Sequence, residues 1–164
     1  MNATAIVYTS ETGFTARYAA LLAEKLHLPA YPLTDALQQL PAGTPVIHMG
    51  WLMAGSVVGC KKAQKRFAIA AVIGVGLGDT GAQDDAARKA CRLPADVPVF
   101  TVQGGMDISK LQGPYRFVIR LLTKAMSAKK NATPDEARMA ELLQSGGDFV
   151  SEKELAAVLA WAEN

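Results

Sequence analysis

The sequence has few of the residues that most metal and nucleophilic sites require. Its two cysteines, Cys60 and Cys91, do not form a CxxC pair, so neither a zinc site nor a redox dithiol is indicated, and we expect buried, reduced thiols. With only two histidines, a hydrolytic triad or a metal site is not expected. We interpret His27 as an exposed helix cap and His48 as a core residue. Any chemistry is then expected to come from a cofactor.

Charge and hydropathy exclude further classes. Seventeen basic and fifteen acidic residues give a net charge of +2, which does not indicate a nucleic-acid partner. The longest apolar run, residues 67–77, is too short to cross a bilayer. The chain begins without a basic region ahead of an apolar stretch, so we expect no signal peptide and a cytoplasmic location. Its 164 residues, half of them hydrophobic, suffice for one domain, 1–164, with a substantial core.

Short segments rich in valine and isoleucine alternate with segments compatible with helices. The strand-like segments are apolar on both faces, which is typical of a parallel sheet covered by helices on both sides. The predicted strands are residues 4–9, 30–33, 45–49, 68–75 and 97–102. The predicted helices are residues 15–26, 35–40, 82–91, 111–130, 135–144 and 152–162. This alternation predicts an α/β fold with three layers and a doubly wound, five-stranded parallel sheet.

The turn after the first predicted strand is the most informative segment. Ser10, Thr12 and Thr15 flank Gly13 between an apolar strand and the start of a helix. Free backbone N–H groups and the helix dipole make such a turn a ready anion site. Residues 1–14 contain no lysine or arginine, which a Walker A loop needs, so a nucleoside triphosphate is a poor candidate. A phosphate monoester fits better; the alternative is that the hydroxyl groups only cap the helix.

The segment after the third predicted strand contains a tryptophan between glycines. Ligands of doubly wound sheets bind outside the carboxyl ends of the strands, where this segment is expected. Trp51 could stack on a flat ring, while Gly50 and Gly55 allow the backbone to approach polar ring edges. The alternative is that Trp51 covers the end of the sheet or a partner surface.

Residues 76–81 follow the fourth predicted strand and spell GxGxxG, the pattern of dinucleotide-binding turns. The motif lies in the fourth strand–helix unit rather than the first. The acidic residue expected about 20 positions later is replaced by Gln103 at the end of the next strand. We therefore do not predict nicotinamide binding, and we interpret the glycines as a loop beside a ligand ring or as a tight turn.

The predicted helix at residues 111–130 is amphipathic and basic. Its apolar residues are Tyr115, Phe117, Val118, Leu121, Leu122 and Met126, and its cations are Arg116, Arg120, Lys124, Lys129 and Lys130. We expect a helix that covers the sheet, with its cations on the outer face. The alternative is contact with a membrane surface or an acidic partner.

These motifs resemble those of flavodoxins. The run Ser10-x-Thr12-Gly13-x-Thr15 is similar to the flavodoxin phosphate loop (T/S)-x-T-G-x-T. The longer segment 8–19, together with residues 99–107, resembles the flavodoxin-domain branch that includes the short protoporphyrinogen oxidases. The resemblance covers nearly the whole chain in order and spacing, and its first motif is the most specific.

The resemblance implies non-covalent binding of FMN. The implied phosphate-binding residues are Ser10, Glu11, Thr12, Gly13, Phe14 and Thr15. The implied ring-binding residues are Gly50, Trp51, Leu52, Met53, Ala54 and Gly55, with a second loop of Leu77, Gly78, Asp79, Thr80 and Gly81. Flavodoxins usually place an aromatic residue in that second loop. Its absence here implies one ring face open to a substrate or an electron partner.

The implied function is electron transfer through the flavin, to a redox partner protein or a small-molecule acceptor. Electron-carrier flavodoxins are typically very acidic, whereas this chain is slightly basic, which disfavours a generic carrier. One alternative is a protoporphyrinogen-oxidase-like FMN enzyme with a quinone acceptor, its helix 111–130 near a membrane or the substrate. Another is a non-catalytic FMN-binding or interaction module.

Overall fold

Strands and helices alternate along most of the chain in the computed structural model, which describes residues 1–111, 113–128 and 132–163. The strands are β1 (Ala5–Thr9), β2 (Ala30–Pro32), β3 (Pro45–Met53), β4 (Ser56–Val57), β5 (Ala68–Gly76), β6 (Val99–Gln103), β7 (Gly105–Met106) and β8 (Gly147–Asp148). The α-helices are α1 (Phe14–Leu26), α2 (Leu33–Gln39), α3 (Cys60–Gln64), α4 (Asp84–Cys91), α5 (Gly113–Ser127), α6 (Pro134–Ser145) and α7 (Ala156–Glu163). Short 3₁₀ helices span Ile108–Lys110 and Glu152–Leu155.

The central sheet has the strand order β2-β1-β3-β5-β6, and these five strands are parallel. This is the flavodoxin-like doubly wound order, in which the chain reverses direction across the sheet after β2. The carboxyl ends of β1, β3, β5 and β6 therefore meet at one edge, which we call the carboxyl edge.

Helices cover both faces of the sheet. On one face, Tyr18 and Leu22 of α1 pack with Leu155 and Val158 near the end of the chain. The other face is covered by α2, α3 and α4, whose buried residues include Leu33, Ala36, Ala63, Ala87 and Cys91. The predicted three-layer α/β fold is confirmed.

The third strand is longer than predicted and turns back on itself. β3 continues to Met53 and pairs antiparallel with β4, so most of the predicted loop at residues 50–55 is a β-hairpin. Ala54 (φ 48°) and Gly55 (φ 76°) form its two-residue turn, and positive φ at both positions is the geometry that suits a hairpin. At Gly50, the carbonyl of Val58 occupies the space that a Cβ atom would need.

Other element boundaries also differ from the prediction. The second strand ends at Pro32 rather than at residue 33, and α2 begins at Leu33 rather than at residue 35. The five-residue α3 was not predicted, because it is too short to show a helical period. Residues 152–155, predicted as the start of the last α-helix, form a 3₁₀ turn.

The segment between β6 and the final helix forms a pair of helices outside the sheet, in which α5 packs against α6. The short strands β7 and β8, which flank this pair in the chain, are paired antiparallel. The expectation that α5 covers the sheet is therefore wrong, and Phe117 and Leu121 are 70% and 60% exposed. The predicted helix end at Lys129 and Lys130 and the side chain of Tyr115 lie outside the described residues. Among the residues described, no helix is long and apolar enough to cross a membrane.

Candidate functional site

The turn between β1 and α1 contains backbone N–H groups that have no acceptor among the described residues. Gly13 precedes α1 with φ 97° and gives it no side-chain cap. The Ser10 hydroxyl accepts a hydrogen bond from the Ala16 N–H at 3.2 Å, so it does cap one amide. No described residue accepts a hydrogen bond from the backbone N–H groups of residues 11–15. The capping alternative thus accounts for one hydroxyl only, and the remaining amides lie at the positive end of the helix dipole.

A cavity of about 610 Å³, open to solvent and lined by both polar and apolar groups, lies beside this turn. Its lining residues are Tyr8, Thr9, Ser10, Glu11, Gly13, Ala16, Pro32, Leu33, Thr34, Gly59 and Lys62. Lys62 comes from α3, so the fold brings a cation to a loop that has none in its own sequence. We refer to this space as the polar cavity.

Thr9 provides an unusual feature of the polar cavity. Its Oγ1 atom is buried and has no hydrogen-bond partner among the described residues. A Cβ atom at Gly59 would collide with this Oγ1, so Gly59, with φ 87°, allows the two segments to approach closely. A buried hydroxyl without a partner costs free energy in the folded protein.

His48 lies in the core behind the polar cavity. Its Nε2 atom is 3.2 Å from the carbonyl oxygen of Val58 and can donate a hydrogen bond to it. Complete burial lowers the pKa of His48 to about 4, so the imidazole is neutral near pH 7. The interpretations of His48 as a core residue and of His27 as an exposed cap of α1 are both confirmed.

A second, mainly apolar cavity of about 390 Å³ lies between the β3–β4 hairpin, the end of β5 and the α5–α6 pair. Trp51, Leu52, Met53, Ala54 and Gly55 line it from the hairpin. Its other lining residues are Glu11, Thr12, Val75, Gly76, Leu77, Gln83, Gly105, Met106, Leu111, Val118, Ile119, Leu122, Met139 and Leu143. Glu11 borders both cavities, so the apolar and polar cavities adjoin at the β1–α1 turn.

The three predicted loops are only partly brought together. In the first, Phe14 borders a third hollow beside Arg17, and Thr15 is buried. In the second, Gly50 is packed inside β3. In the third, Leu77 lines the apolar cavity, whereas residues 78–81 are not among its lining residues.

Residues 78–81 are held by contacts within the protein. Asp79 forms an ion pair with Arg138 of α6 at 3.4 Å. The Thr80 hydroxyl donates to Glu154 and accepts a hydrogen bond from the Gln103 N–H at 3.0 Å. These contacts tie the loop to α6 and to the 3₁₀ turn before α7.

The GxGxxG segment does not present a free anion site. Asp84, the first residue of α4, accepts hydrogen bonds on Oδ1 from the N–H and the hydroxyl of Thr101, at 2.6 and 2.7 Å. The Thr101 hydroxyl also accepts one from the Gln83 N–H at 3.2 Å. The Asp84 carboxylate at the start of this helix would repel a pyrophosphate, and the Gln83 amide is already occupied by Thr101. The glycines act as a tight strand–helix turn.

Tyr18 fixes α1 relative to the carboxyl edge. It is fully buried, and its hydroxyl donates to the Gln103 carbonyl at the end of β6. The same oxygen accepts a hydrogen bond from the Ser151 N–H at 3.4 Å. Burial raises the pKa of Tyr18 to about 12, so its proton stays in place and the contact holds at neutral pH.

Sequence reasoning missed two groups of lining residues. Thr34, Gly59 and Lys62 border the polar cavity but belong to segments without a recognisable motif. The apolar wall from α5 and α6 was missed because the apolar face of α5 was assigned to the sheet. The amphipathic period of α5 was visible, but its packing partner was not.

Comparisons of the chain with protein-family models, with curated proteins and with solved structures found no match. Over residues 1–111, 113–128 and 132–163, no group of three or more histidine, cysteine, aspartate or glutamate residues could hold a metal ion. The functional inference therefore depends on the doubly wound α/β fold and on the cavities at its carboxyl edge.

Proposed function

We propose that this chain binds FMN without a covalent bond at the carboxyl edge and transfers electrons through it. The observation that carries the proposal is the junction of the polar and apolar cavities at the β1–α1 turn. One cavity suits an anion and the other a flat apolar ring, and Glu11 borders both. A flavin mononucleotide has these two parts in one molecule.

The polar cavity fits a phosphate monoester. The backbone N–H groups of residues 11–15 and the dipole of α1 would hold its oxygens. Lys62 contributes a positive charge from α3. One helix end, neutral donors and one cation, opposed by the Glu11 carboxylate in the same lining, suit a monophosphate better than a triphosphate.

The apolar cavity fits a ring of the size of isoalloxazine. Its volume of about 390 Å³ lies in the range usual for small-molecule sites. Trp51 would face the ring from the hairpin, and the buried side chains of Leu111 and Leu143 would exclude water from it. When bound, FMN supplies electron or hydride transfer through N5, and the protein supplies orientation and a dry surface.

Titration of the purified chain with FMN and with riboflavin tests the proposal. We expect FMN to bind more tightly, because riboflavin lacks the phosphate that the polar cavity would hold. Thr12→Arg should abolish FMN binding, whereas Thr44→Arg, a threonine replacement in the turn before β3 and thus at the other end of the sheet, should not. Absence of flavin binding by the folded wild-type chain would rule the proposal out.

The redox role is tested separately from binding. The FMN-loaded chain would be reduced anaerobically and mixed with a water-soluble quinone or with a one-electron acceptor protein. Reoxidation faster than that of free reduced FMN is expected. If bound flavin reacts no faster than free flavin with either acceptor, the chain is better described as a non-catalytic FMN-binding module.

The second candidate function is that of an FMN enzyme which passes electrons to a quinone at a membrane. This is the protoporphyrinogen-oxidase-like alternative of the sequence analysis. The exposed apolar face of α5 favours it: Phe117, Val118, Leu121 and Leu122 are exposed beside Arg116, Arg120 and Lys124. Apolar and cationic residues side by side suit an anionic lipid surface. Because Val118 and Leu122 also line the apolar cavity, a membrane-dissolved acceptor would approach it from this side.

Sedimentation with lipid vesicles tests this candidate. We expect the chain to bind vesicles of phosphatidylglycerol but not of phosphatidylcholine, and to be released by salt. Arg120→Gln should weaken binding, whereas Lys153→Gln, with the same loss of charge outside α5, should not. Equal binding by both variants, or no binding to either vesicle, would rule out a lipid-docking role for α5.

A further inference from the structure

The fold brings together two cysteines that lie 31 positions apart in the chain. Cys60 begins α3 and Cys91 ends α4, and both are buried in one hydrophobic cluster. The side-chain amide of Gln64 donates to the Cys60 Sγ at 3.1 Å and to the Cys91 carbonyl at 3.0 Å. The two thiols also lie close enough that each shifts the pKa of the other. The sequence gives no sign of this pair, because its spacing matches no dithiol motif.

The sulfur of Cys91 has polar neighbours in β4. The Val57 N–H donates to it at 3.4 Å, and the Ser56 hydroxyl lies 3.9 Å from it. The Cys60 thiol first, and then these two groups, lower the pKa of Cys91, while the Cys91 thiol and burial raise the pKa of Cys60. Cys91 is therefore the more nucleophilic sulfur, and Cys60 is the protonated neighbour.

The β3–β4 hairpin is the segment through which a small oxidant would reach the buried Cys91. Ser56 and Val57 form β4 and contact the sulfur of Cys91, and the adjoining turn at Met53 and Ala54 is exposed. Two-residue strands at a sheet margin open easily, because few hydrogen bonds hold them. A molecule of the size of a peroxide could reach the sulfur when β4 opens.

We propose that Cys60 and Cys91 form a reversible intramolecular disulfide on reaction with a peroxide. The Cys91 thiolate attacks one peroxide oxygen, the O–O bond breaks, and a sulfenic acid and hydroxide (or alkoxide) form. The Cys60 sulfur then attacks the sulfenic sulfur, its proton leaves with the hydroxyl group as water, and the S–S bond forms. The two sulfurs together lose two electrons, which reduce the peroxide. A dithiol reductant restores both thiols by exchange.

Oxidation would affect the wall of the apolar cavity. The disulfide removes negative charge from Cys91, so it weakens the hydrogen bond from the Val57 N–H that holds β4. β4 pairs with Leu52 and Met53, which line that cavity. Oxidation of the two thiols by a peroxide would thus change the position of the hairpin residues that line the apolar cavity. This chemistry depends only on the two cysteines, so it stands or fails independently of FMN binding.

The test treats the purified, reduced chain with hydrogen peroxide and measures mass and free thiols after unfolding. We expect the wild-type chain to lose the mass of two hydrogen atoms and both of its titratable thiols, and to recover them with dithiothreitol. Peptide mapping should find residues 60 and 91 in one disulfide-linked pair. The peroxide concentration would be kept where methionine oxidation is not detected.

Single variants distinguish this reaction from ordinary oxidation. Cys60→Ser should gain oxygen at Cys91 or form intermolecular dimers, and Cys91→Ser should react with peroxide at least tenfold more slowly. If a variant does not fold, peptide mapping of the oxidised wild-type chain decides whether residues 60 and 91 form a disulfide. Retention of both thiols, or disulfides found only between chains, would overturn the proposal.

Discussion

The hydroxyl of Ser10 accepts a hydrogen bond from the backbone N–H of Ala16 at 3.2 Å, across the turn that starts α1. This contact ties the turn around Gly13 to the first turn of α1, while the N–H groups of residues 11–15 have no acceptor among the described residues. A loop that caps its own helix in this way is already shaped before a ligand arrives. Such preorganisation reduces the entropy lost on binding, which favours a site over a simple cap.

Replacing Gly13 with alanine should separate backbone strain from ligand binding. Gly13 (φ 97°) and Gly43 (φ 79°) both have left-handed backbone and open space where a Cβ atom would stand, so either alanine should cost about 1–2 kcal/mol of stability. Gly43 precedes β3, at the opposite end of the sheet. We expect only Gly13→Ala to weaken FMN binding, by roughly tenfold. Calorimetry and chemical unfolding measure the two effects, and equal flavin affinity of both variants would contradict a phosphate site at this turn.

Lys62 and Lys61 form a matched pair for testing the charge at the polar cavity. Both are exposed on α3, but only Lys62 lines the cavity. Lys62→Gln should weaken FMN binding by roughly fivefold, close to the 1 kcal/mol expected for one solvated charge pair. Riboflavin binding should not change, because riboflavin has no phosphate. Lys61→Gln should affect neither ligand, and a comparable loss with both variants would show only a general charge effect.

The two tryptophans provide an internal comparison for ring binding. Trp51 lines the apolar cavity, whereas Trp161 packs against Phe100 with ring centroids 5.9 Å apart. In Trp161→Phe, the remaining Trp51 emission should be strongly quenched by FMN. In Trp51→Phe, the remaining Trp161 emission should be quenched much less. Quenching of equal depth in both variants would show that the ring does not lie against Trp51.

His48 should make stability depend on pH in the mildly acidic range. Its pKa falls from 6.5 to about 4 in the folded protein, because burial disfavours the charged ring. Below about pH 6.5 the unfolded chain therefore binds a proton that the folded chain does not. The free energy of unfolding should fall by about 2 kcal/mol between pH 6.5 and about pH 5. Full stability is retained above that range.

Urea unfolding of wild type and His48→Gln checks the size of this effect. Glutamine can still donate to the Val58 carbonyl but does not titrate, so the variant should lose less stability over the same range. The difference between the two slopes isolates His48 from the carboxylates. Parallel pH profiles would show that the imidazole is not the group responsible.

Much of the fold could be predicted, because long elements carry their own signal. The five parallel strands are apolar on both faces, and α1 shows a clear helical period at Tyr18 and Leu22. The β3–β4 hairpin, α3 and the β7–β8 pair escaped prediction. They are two to five residues long, apart from the extension of β3, and contacts distant in sequence hold them in place.

The candidate site could be predicted in part. The β1–α1 turn and Trp51 directly follow clearly predicted strands. They could be predicted because ligands of doubly wound sheets bind outside the carboxyl ends of the strands. Lys62 could not be found, because α3 approaches the turn only through tertiary packing. The placement of Asp79 and Thr80 also escaped, since Arg138 and Glu154 lie far along the chain. FMN binding and electron transfer stay predictions.

The sequence by itself determined the doubly wound α/β fold and the turn that starts α1, because hydrophobic periods and glycine positions act locally. Only the tertiary structure decided what surrounds that turn. It brought Lys62 to the polar cavity, left Phe117 exposed on α5, and placed Cys60 and Cys91 in one buried cluster. These relationships depend on how helices pack in space, and a linear pattern of residue types does not record which helix faces which.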